Sequence, residues 1–378
     1  MIYFDNAATS GKKPQKVINA TYNALKNFNA NPGRSGHILS QKTAEEIFKT
    51  REKISDFFNA EGPEMVVFTS NCTHSINAVL KGVLQKGEHI IVSNLEHNAV
   101  MRPLTKIGIP FSVAKVDFSN DNETVKNFEA LIKPNTRMIF CTAASNVFGI
   151  VLPIAKIGAL CRKRGIYFAV DAAQLAGVMP IDMQKMNIDF LCVASHKGLY
   201  APMGSGILIS RRHIENTIIE GGTGTNSLEF AQPSLLPERL ESGTVNVPAI
   251  LGTGAGIDFI KVMGIDTMYQ KEMNLARRIY DGIAANKKCI LYTGRPENAK
   301  FVPVISFNVE GMPSEEAAAM LSKNGVAVRG GYHCSPMAHK SMGTEIAGTV
   351  RISLSHFNTL AEVEQFLRIL KQISVKKP

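Results

Sequence analysis

A stretch near the end of the chain, VRGGYHCSPMAH, gathers residue types that can do chemistry. It contains Cys334, which follows His333 directly, with Arg329 five residues before it and His339 five residues after it. A cysteine in such a setting can be an apolar filler, a metal ligand or a nucleophile. The sequence around the thiol helps to choose among these roles.

A glycine pair and a proline in the same stretch indicate a loop with polar flanks, which disfavours a core role for Cys334. No second cysteine or carboxylate stands at ligand spacing, so no metal site is predicted. Arg329 and His333 would supply positive charge, which favours the thiolate form of a cysteine. A nucleophilic thiol therefore makes the best chemical sense.

Two charged residues follow apolar runs farther upstream. Asp171 comes directly after IYFAV, and Lys197 comes four residues after DFLCV. Taken alone, Asp171 is equally suited to capping a helix, and Lys197 to a structural ion pair. Taken together, they are the pair that pyridoxal phosphate requires. The lysine forms a Schiff base, and the carboxylate keeps the pyridine nitrogen protonated.

Small polar residues offer places for the phosphate of such a cofactor. The run SNCT, residues 70–73, begins a predicted helix just after the strand MVVFT, so it supplies a helix N-terminus. A second glycine-rich loop, GGTGTNS, covers residues 221–227, and His97 follows the strand HIIVS closely enough to lie on the ring. The rival motif GTGAG, residues 252–256, lacks the third glycine of a dinucleotide fingerprint. A helix with close packing contacts is the better interpretation of those glycines.

The elements that must position these residues follow an alternating pattern. Short apolar strands and helices alternate over residues 14–210, which predicts an α/β protein with a largely parallel sheet buried on both faces. Strands are predicted at residues 65–69, 89–92, 137–142, 166–170, 189–193 and 206–210, and helices at 41–59, 73–84 and 154–164. Ligands of such sheets bind beyond the carboxyl ends of the strands. Asp171 and Lys197 would both lie there.

The pattern changes after about residue 250. Helices predicted at 248–263 and 268–286 lead to a smaller α+β domain, against which the N-terminal residues are expected to pack. We therefore predict a large domain of residues 14–255, and a small domain formed by residues 1–13 and 256–378.

Composition excludes several classes of protein. The 378 residues are 45% apolar and 20% charged, as in ordinary globular proteins. No apolar run reaches eighteen residues and the N-terminus lacks the pattern of a signal peptide, so no membrane segment is predicted. Six scattered cysteines without a C-x-x-C pair favour free thiols and a cytoplasmic location. The formal charge of +10 is spread over short, separated clusters, so no nucleic-acid partner is predicted.

Taken in order, the motifs resemble the class V aminotransferase superfamily, and within it the cysteine desulfurases. The similarity is greatest to the Suf-type (group II) branch, which includes selenocysteine lyase-like enzymes. It covers nearly the whole chain and rests on eleven ordered motifs: YFDNAATS, NPGRSGH, FTSNCTHSINAV, LEHNAV, SNVFG, VDAAQ, SHKGLYAPMGSG, GGTGTNS, RLESGTVN, VAVRGGYHC and TVRISLSHFNT.

The resemblance implies a fold type I enzyme that uses pyridoxal phosphate, a homodimer with its active sites at the subunit interface. Lys197 would be the Schiff-base lysine, Asp171 would pair with the pyridinium nitrogen, and Gln174 would contact the ring hydroxyl. His97 would stack on the ring and serve as an acid or base for the sulfur. Cys334 falls where the family places its sulfur-accepting cysteine.

Further contacts are implied in the same way. The implied cofactor contacts, mostly around the phosphate, are Cys72, Thr73, Asn146, Ser195, His196 and, from the other subunit, Thr225. The implied substrate contacts are Arg351, Arg329, Asn146 and Ala8. Two departures stand out: Ala194 and Ser195 occupy positions where the family commonly has Ser or Thr and then Gly, and Cys72 replaces a frequent Thr. Both concern the phosphate contacts.

The resemblance implies conversion of L-cysteine to L-alanine, with a persulfide formed on Cys334 and passed to an acceptor protein. Three alternatives stay open at this stage. The chain could be a selenocysteine lyase, in which Cys334 is dispensable. It could be another class V transaminase or lyase, in which Cys334 is incidental. It could also be a non-catalytic sulfur carrier or scaffold, although a complete set of cofactor-binding residues argues against that.

Overall fold

The computed structural model describes residues 1–33 and 36–375. Arg34 and Ser35, within the motif NPGRSGH, lie outside the described residues. The strands are β1 (Ile2–Tyr3), β2 (Val66–Thr69), β3 (His89–Ser93), β4 (Phe111–Ala114), β5 (Thr136–Thr142), β6 (Tyr167–Asp171), β7 (Phe190–Val193), β8 (Gly206–Ser210), β9 (Cys289–Leu291), β10 (Val304–Val309), β11 (Val326–Ala327) and β12 (Val350–Ser353).

Helices connect these strands and cover them. They are α1 (Gln15–Asn27), α2 (Ile38–Phe58), α3 (Cys72–Val83), α4 (Asn98–Ile107), α5 (Asp121–Glu129), α6 (Ile154–Arg164), α7 (Val247–Met263), α8 (Ile265–Ala284), α9 (Ser314–Lys323), α10 (Pro336–Ser341) and α11 (Leu360–Val375). A short 3₁₀ helix, Pro63–Met65, precedes β2.

A seven-stranded sheet forms the centre of the protein, in the order β2-β8-β7-β6-β5-β3-β4. Strand β8 runs antiparallel to both of its neighbours, and the remaining pairs are parallel. The prediction of an α/β fold with a mostly parallel sheet is therefore confirmed.

The sheet is buried on both faces because its strands are apolar throughout. In β5, Ile139 and Cys141 join the apolar cluster on one face, while Met138 and Phe140 join the cluster on the other. All four side chains are fully buried. Side chains alternate between the faces of a strand, so an uninterrupted apolar run marks a strand that is covered on both sides.

The C-terminal part contains a smaller antiparallel sheet, β12-β10-β9, and the N-terminal strand β1 pairs in parallel with β11. A third apolar cluster joins these elements and includes Phe4, Phe307 and Phe366. The N-terminal residues thus pack against the C-terminal part, as expected. The proposed boundary at residue 255 falls inside α7, and the division into domains stays a prediction.

The glycines of the GTGAG motif lie in α7, where they allow close packing. A Cβ atom on Gly256 would lie 1.9 Å from the carbonyl oxygen of Leu199, and one on Gly252 would lie 2.8 Å from Cδ of Pro202. The packing interpretation is therefore confirmed. Because Leu199 follows Lys197 closely, this contact also supports the loop that carries the lysine.

Across residues 1–33 and 36–375, each helix taken singly is too short or too polar to cross a membrane. Helices α7 and α8 meet the length and composition criteria only as a pair, which is bent by 81°.

Candidate active site

Lys197 and Asp171 come from neighbouring strands of the central sheet. Asp171 is the last residue of β6 and pairs in register with Cys192 of β7. Lys197 follows β7 in a turn, where its backbone N–H donates to the carbonyl of Ala194 at 3.1 Å. Burial lowers the pKa of the Lys197 amine, and the nearby Asp171 carboxylate partly opposes that effect. The predicted pair therefore lies at one edge of the sheet and interacts electrostatically.

Asp171 keeps one carboxylate oxygen available. Its side chain is 4% exposed, and Oδ1 accepts the Ala173 N–H at 2.9 Å and the Cys72 thiol at 3.6 Å. Among the described residues, no donor contacts Oδ2. A buried carboxylate needs donors for both oxygens, so this arrangement suits a ligand that presents an N–H group.

His97 is held in one tautomer at the start of α4. Its Nδ1 accepts the backbone N–H of Ala99 at 3.0 Å, so the ring proton of the neutral imidazole lies on Nε2. Burial lowers the pKa of this histidine, while Asp171 opposes the shift. His97 is therefore a neutral ring with a donor at Nε2.

The protein has six free cysteines, and Cys334 is the exposed one. Cys289 is half-buried, and the other four are buried. Its carbonyl accepts the N–H of Asn98, the residue after His97, at 2.8 Å. The nearest cation is Arg329, whose Nη2 lies 4.0 Å from Sγ. The loop thus carries an accessible thiol beside a positive charge and next to the His97 segment.

The expectation that His333 supplies positive charge to the thiol is wrong. Its side chain is 3% exposed, and Nε2 lies 3.0 Å from the carbonyl oxygen of Thr349. Burial lowers the pKa of His333 to about 2, and the nearby Arg351 charge acts in the same direction. The imidazole is therefore uncharged, and Arg329 alone provides the cation next to Cys334 among the described residues.

Arg351 lies beside Arg329 because their backbones pair, with the Arg351 N–H donating to the Arg329 carbonyl at 2.8 Å. The Arg351 guanidinium is 1% exposed and forms an ion pair with Asp5 at 2.7 Å. Its Nη1 donates to the carbonyl of Asn146 at 2.9 Å, and its buried Nε has no hydrogen-bond partner among the described residues. Three residues expected to contact the substrate, Arg329, Arg351 and Asn146, are thus brought together. The side-chain amide of Asn146 is bonded to the Cys334 loop, because Nδ2 donates to the His333 carbonyl and Oδ1 accepts the Ser335 hydroxyl.

The start of α3 provides the predicted phosphate loop. The backbone N–H groups of Cys72 and Thr73 lack hydrogen-bond partners among the described residues, as is usual at a helix N-terminus. The Cys72 side chain itself faces Asp171, and burial raises its pKa well above the ordinary value. Among the described residues, these amides have the geometry to bind an anion.

The other predicted phosphate contacts have different surroundings. Ser195 is fully buried, and its hydroxyl has no partner within the described part of the chain, whereas Nδ1 of His196 lies 3.1 Å from the hydroxyl of Thr9. Burial lowers the pKa of His196 to about 4. Thr225 is exposed in a surface loop and contacts Thr223. Its role across a subunit interface stays a prediction.

Gln174 and Ala8 connect the site to the N-terminal segment. The Gln174 amide donates to the carbonyl of Ala7 at 3.1 Å, and the Ala8 N–H donates to the carbonyl of Asp5 at 3.1 Å. The roles of Gln174 with the ring hydroxyl and of Ala8 with substrate stay predictions.

Sequence reasoning missed two carboxylates at the site, Asp5 and Glu96. Asp5 pairs with Arg351, as described above. Glu96 is fully buried, and its Oε1 accepts the N–H of Thr142 at 2.9 Å, while Oε2 has no partner in the residues that the structure describes. Both residues stand in motifs of the family resemblance, YFDNAATS and LEHNAV. Those motifs were the signals that could have found them.

Comparisons with known proteins find similarity over nearly the whole chain. The family model described as aminotransferase class-V matches residues 2–366. A probable cysteine desulfurase of Pyrococcus abyssi is 32% identical over 385 residues, which are 99% of this chain and 94% of the relative. A probable cysteine desulfurase of Synechocystis sp. is 29% identical and covers 98% of this chain and 90% of its own length.

Solved structures show the same similarity. The apo structure of a cysteine desulfurase from Thermococcus onnurineus NA1 superposes with a TM-score of 0.88 at 31% identity, over 98% of this chain and 94% of that one. The cysteine desulfurase CsdA from Escherichia coli, in an S-sulfonic acid form, gives a TM-score of 0.86 at 26% identity, with the same coverage of both chains. The chain therefore belongs to the class V aminotransferase family, and it has the fold of the cysteine desulfurases.

Proposed function

We propose that this protein is a pyridoxal phosphate-dependent cysteine desulfurase, which converts L-cysteine to L-alanine and receives the sulfur on Cys334. The observation that carries the proposal is the position of that thiol. It is exposed, stands 4.0 Å from Arg329, and is tied through Asn98 to the segment that carries His97.

The residues present fit pyridoxal phosphate, the cofactor used by the class V family. Lys197 has a lowered pKa and would hold the cofactor covalently. Oδ2 of Asp171, which accepts no hydrogen bond from the described residues, suits a pyridine N–H. The amides of Cys72 and Thr73 would bind the phosphate. When bound, the cofactor supplies an electron sink for the α-carbon of an amino acid.

The cationic side chains explain how an amino acid would be oriented. Arg329 and Arg351 present positive charge to the substrate carboxylate, with Asp5 already neutralising part of the Arg351 charge. Lys197 lies close enough to Asp171 to sense its charge, and a lowered pKa lets Nζ accept the α-proton of the substrate and return it.

Sulfur transfer to Cys334 conserves atoms and electrons and needs no external oxidant. The Cys334 thiolate attacks the substrate sulfur, so that an S–S bond forms while the Cβ–S bond breaks. The electron pair of the broken bond stays on carbon and takes up a proton, which gives L-alanine and a persulfide. Arg329, with Nη2 4.0 Å from Sγ, places positive charge beside the attacking sulfur.

Exposed surfaces bear on the proposed partners. The exposure of Cys334 suits delivery of sulfur to an acceptor protein. Large apolar side chains are also exposed on α1, α2 and the segment 228–235, in the set Ile18, Tyr22, Leu25, Ile38, Leu39, Phe48, Leu228, Phe230 and Leu235. Large apolar side chains are commonly covered by a partner, so their exposure on these elements supports a homodimer.

The test is L-alanine release from L-cysteine, with a thiol reductant present, by cofactor-loaded protein. Wild type should release alanine, Cys334→Ala should lose at least about tenfold in rate, and the matched control Cys289→Ala should match wild type. Parallel assays with L-selenocysteine separate the alternatives. Equal cysteine activity in wild type and Cys334→Ala would refute transfer to this thiol, and activity on selenocysteine alone would indicate a lyase.

A further inference from the structure

The loop around Cys334 is fixed at three consecutive residues. The side chain of Asn146 contacts the loop on both sides of the thiol, because Nδ2 donates to the His333 carbonyl at 2.8 Å and Oδ1 accepts the Ser335 hydroxyl at 2.7 Å. Between these contacts, the Cys334 carbonyl accepts the N–H of Asn98 at 2.8 Å. One amide side chain therefore holds the residues before and after the thiol.

The hydroxyl of Ser335 does not cap α10, although the position of Ser335 in the chain predicts a helix cap. Ser335 occupies the N-cap of α10, where a serine oxygen usually accepts a backbone N–H of the first helical turn. No such bond forms here. The hydroxyl is fully buried and donates instead to Asn146. It therefore serves the Cys334 loop rather than the helix.

The backbone of the loop needs such support. His333 and Cys334 have φ angles of +51° and +60°, in the left-handed region that non-glycine residues rarely adopt. Strained conformations of this kind persist only where the surroundings hold them. Asn146 is itself anchored, because its carbonyl accepts Nη1 of Arg351 at 2.9 Å.

We propose that Ser335 is a positioning residue, whose hydroxyl acts through Asn146 to hold Cys334 in place for sulfur transfer. The inference rests on the proposed function, because the step that it serves is attack by Cys334. It assigns Ser335 no contact with substrate or cofactor. Loss of the hydroxyl should therefore slow the step that uses Cys334 and leave substrate binding unchanged.

The kinetic test compares wild type, Ser335→Ala and the control Ser341→Ala, which removes a hydroxyl from the far end of α10. The readout is the single-turnover rate of persulfide formation from L-cysteine, together with KM. Ser335→Ala should slow persulfide formation about fivefold, as expected for one buried hydrogen bond, with KM unchanged. An unchanged rate, or a raised KM with an unchanged rate, would overturn the proposal.

A second readout does not depend on turnover. Hydrogen exchange of the cofactor-loaded protein, without substrate, reports on the Asn98 amide and on the loop peptide 333–341. Both should exchange at least about fivefold faster in Ser335→Ala than in Ser341→Ala, and equal exchange would show that no such restraint exists. If wild type releases no alanine, the proposed function fails, while the exchange result still decides whether Ser335 restrains the loop.

Discussion

Glu96 is a buried acid at the edge of the site, and replacing it with glutamine should stabilise the protein in a pH-dependent way. The residue follows β3, just before His97, and is fully buried. Its Oε1 accepts the Ser93 hydroxyl and the Thr142 N–H, while Oε2 has no partner in residues 1–33 and 36–375. Burial raises the pKa of this carboxyl from 4.5 to about 8, and the nearby Asp171 charge adds to the effect.

The size and sign of the effect follow from the two protonation states. Below pH 4.5 the carboxyl is protonated in both the folded and the unfolded chain, so it costs nothing. Above that pH the unfolded chain loses the proton while the folded protein keeps it until about pH 8. Folding therefore loses about 1.4 kcal/mol for each pH unit in this window, or ~3 kcal/mol at pH 7.

Glutamine keeps the acceptor oxygen and carries no titratable proton, so Glu96→Gln should remove this cost. We expect the free energy of unfolding of cofactor-free protein, measured by urea denaturation, to rise by about 3 kcal/mol at pH 7 and by less than about 1 kcal/mol at pH 5. The control is Glu297→Gln, an exposed acid, which should change little at either pH. A Glu96→Gln variant with the same shift at both pH values, or destabilised at pH 7, would refute the reasoning.

Three further predictions concern stability and assembly. Asp5→Ala and Asp5→Asn both leave the buried Arg351 cation without its counter-charge, and each should lower the free energy of unfolding by about 3 kcal/mol; a much smaller loss in Asp5→Asn than in Asp5→Ala would argue against a charge effect. Because Cys334 has a φ angle of +60°, Cys334→Gly should be more stable than Cys334→Ala by about 1 kcal/mol, and equal melting of the two would argue against strain. Light scattering should give twice the chain mass of 41.2 kDa; a monomer at micromolar concentration would contradict the proposed dimer.

Elements with a strong local pattern could be predicted from the sequence. Helix α6 and strand β8 were predicted with the bounds that the structure shows, because each forms a clear apolar pattern between turn residues. Strand β4 was not predicted. It lies at the edge of the sheet, where Phe111 and Val113 are exposed, and Ser112 interrupts its apolar run.

The candidate site was predictable where its residues follow strands. Asp171 and Lys197 could be placed together because the carboxyl ends of parallel strands meet at one edge of a sheet. The pairing of Asp5 with Arg351 joins residues 346 positions apart and has no local signal. The prediction that His333 carries positive charge is also wrong. The residue type does not reveal that the loop buries the ring, or that Nε2 is bonded to the Thr349 carbonyl.

Arrival of the substrate sulfur on Cys334 is the central event of the proposed reaction. The measurement is the mass of the Cys334-containing peptide, after cofactor-loaded protein reacts once with L-cysteine without a reductant, together with the alanine released. We expect this peptide to gain one sulfur atom, in a one-to-one ratio with alanine, and peptides with the buried cysteines to stay unchanged. Alanine released without sulfur on Cys334, or no alanine at all, would contradict the account.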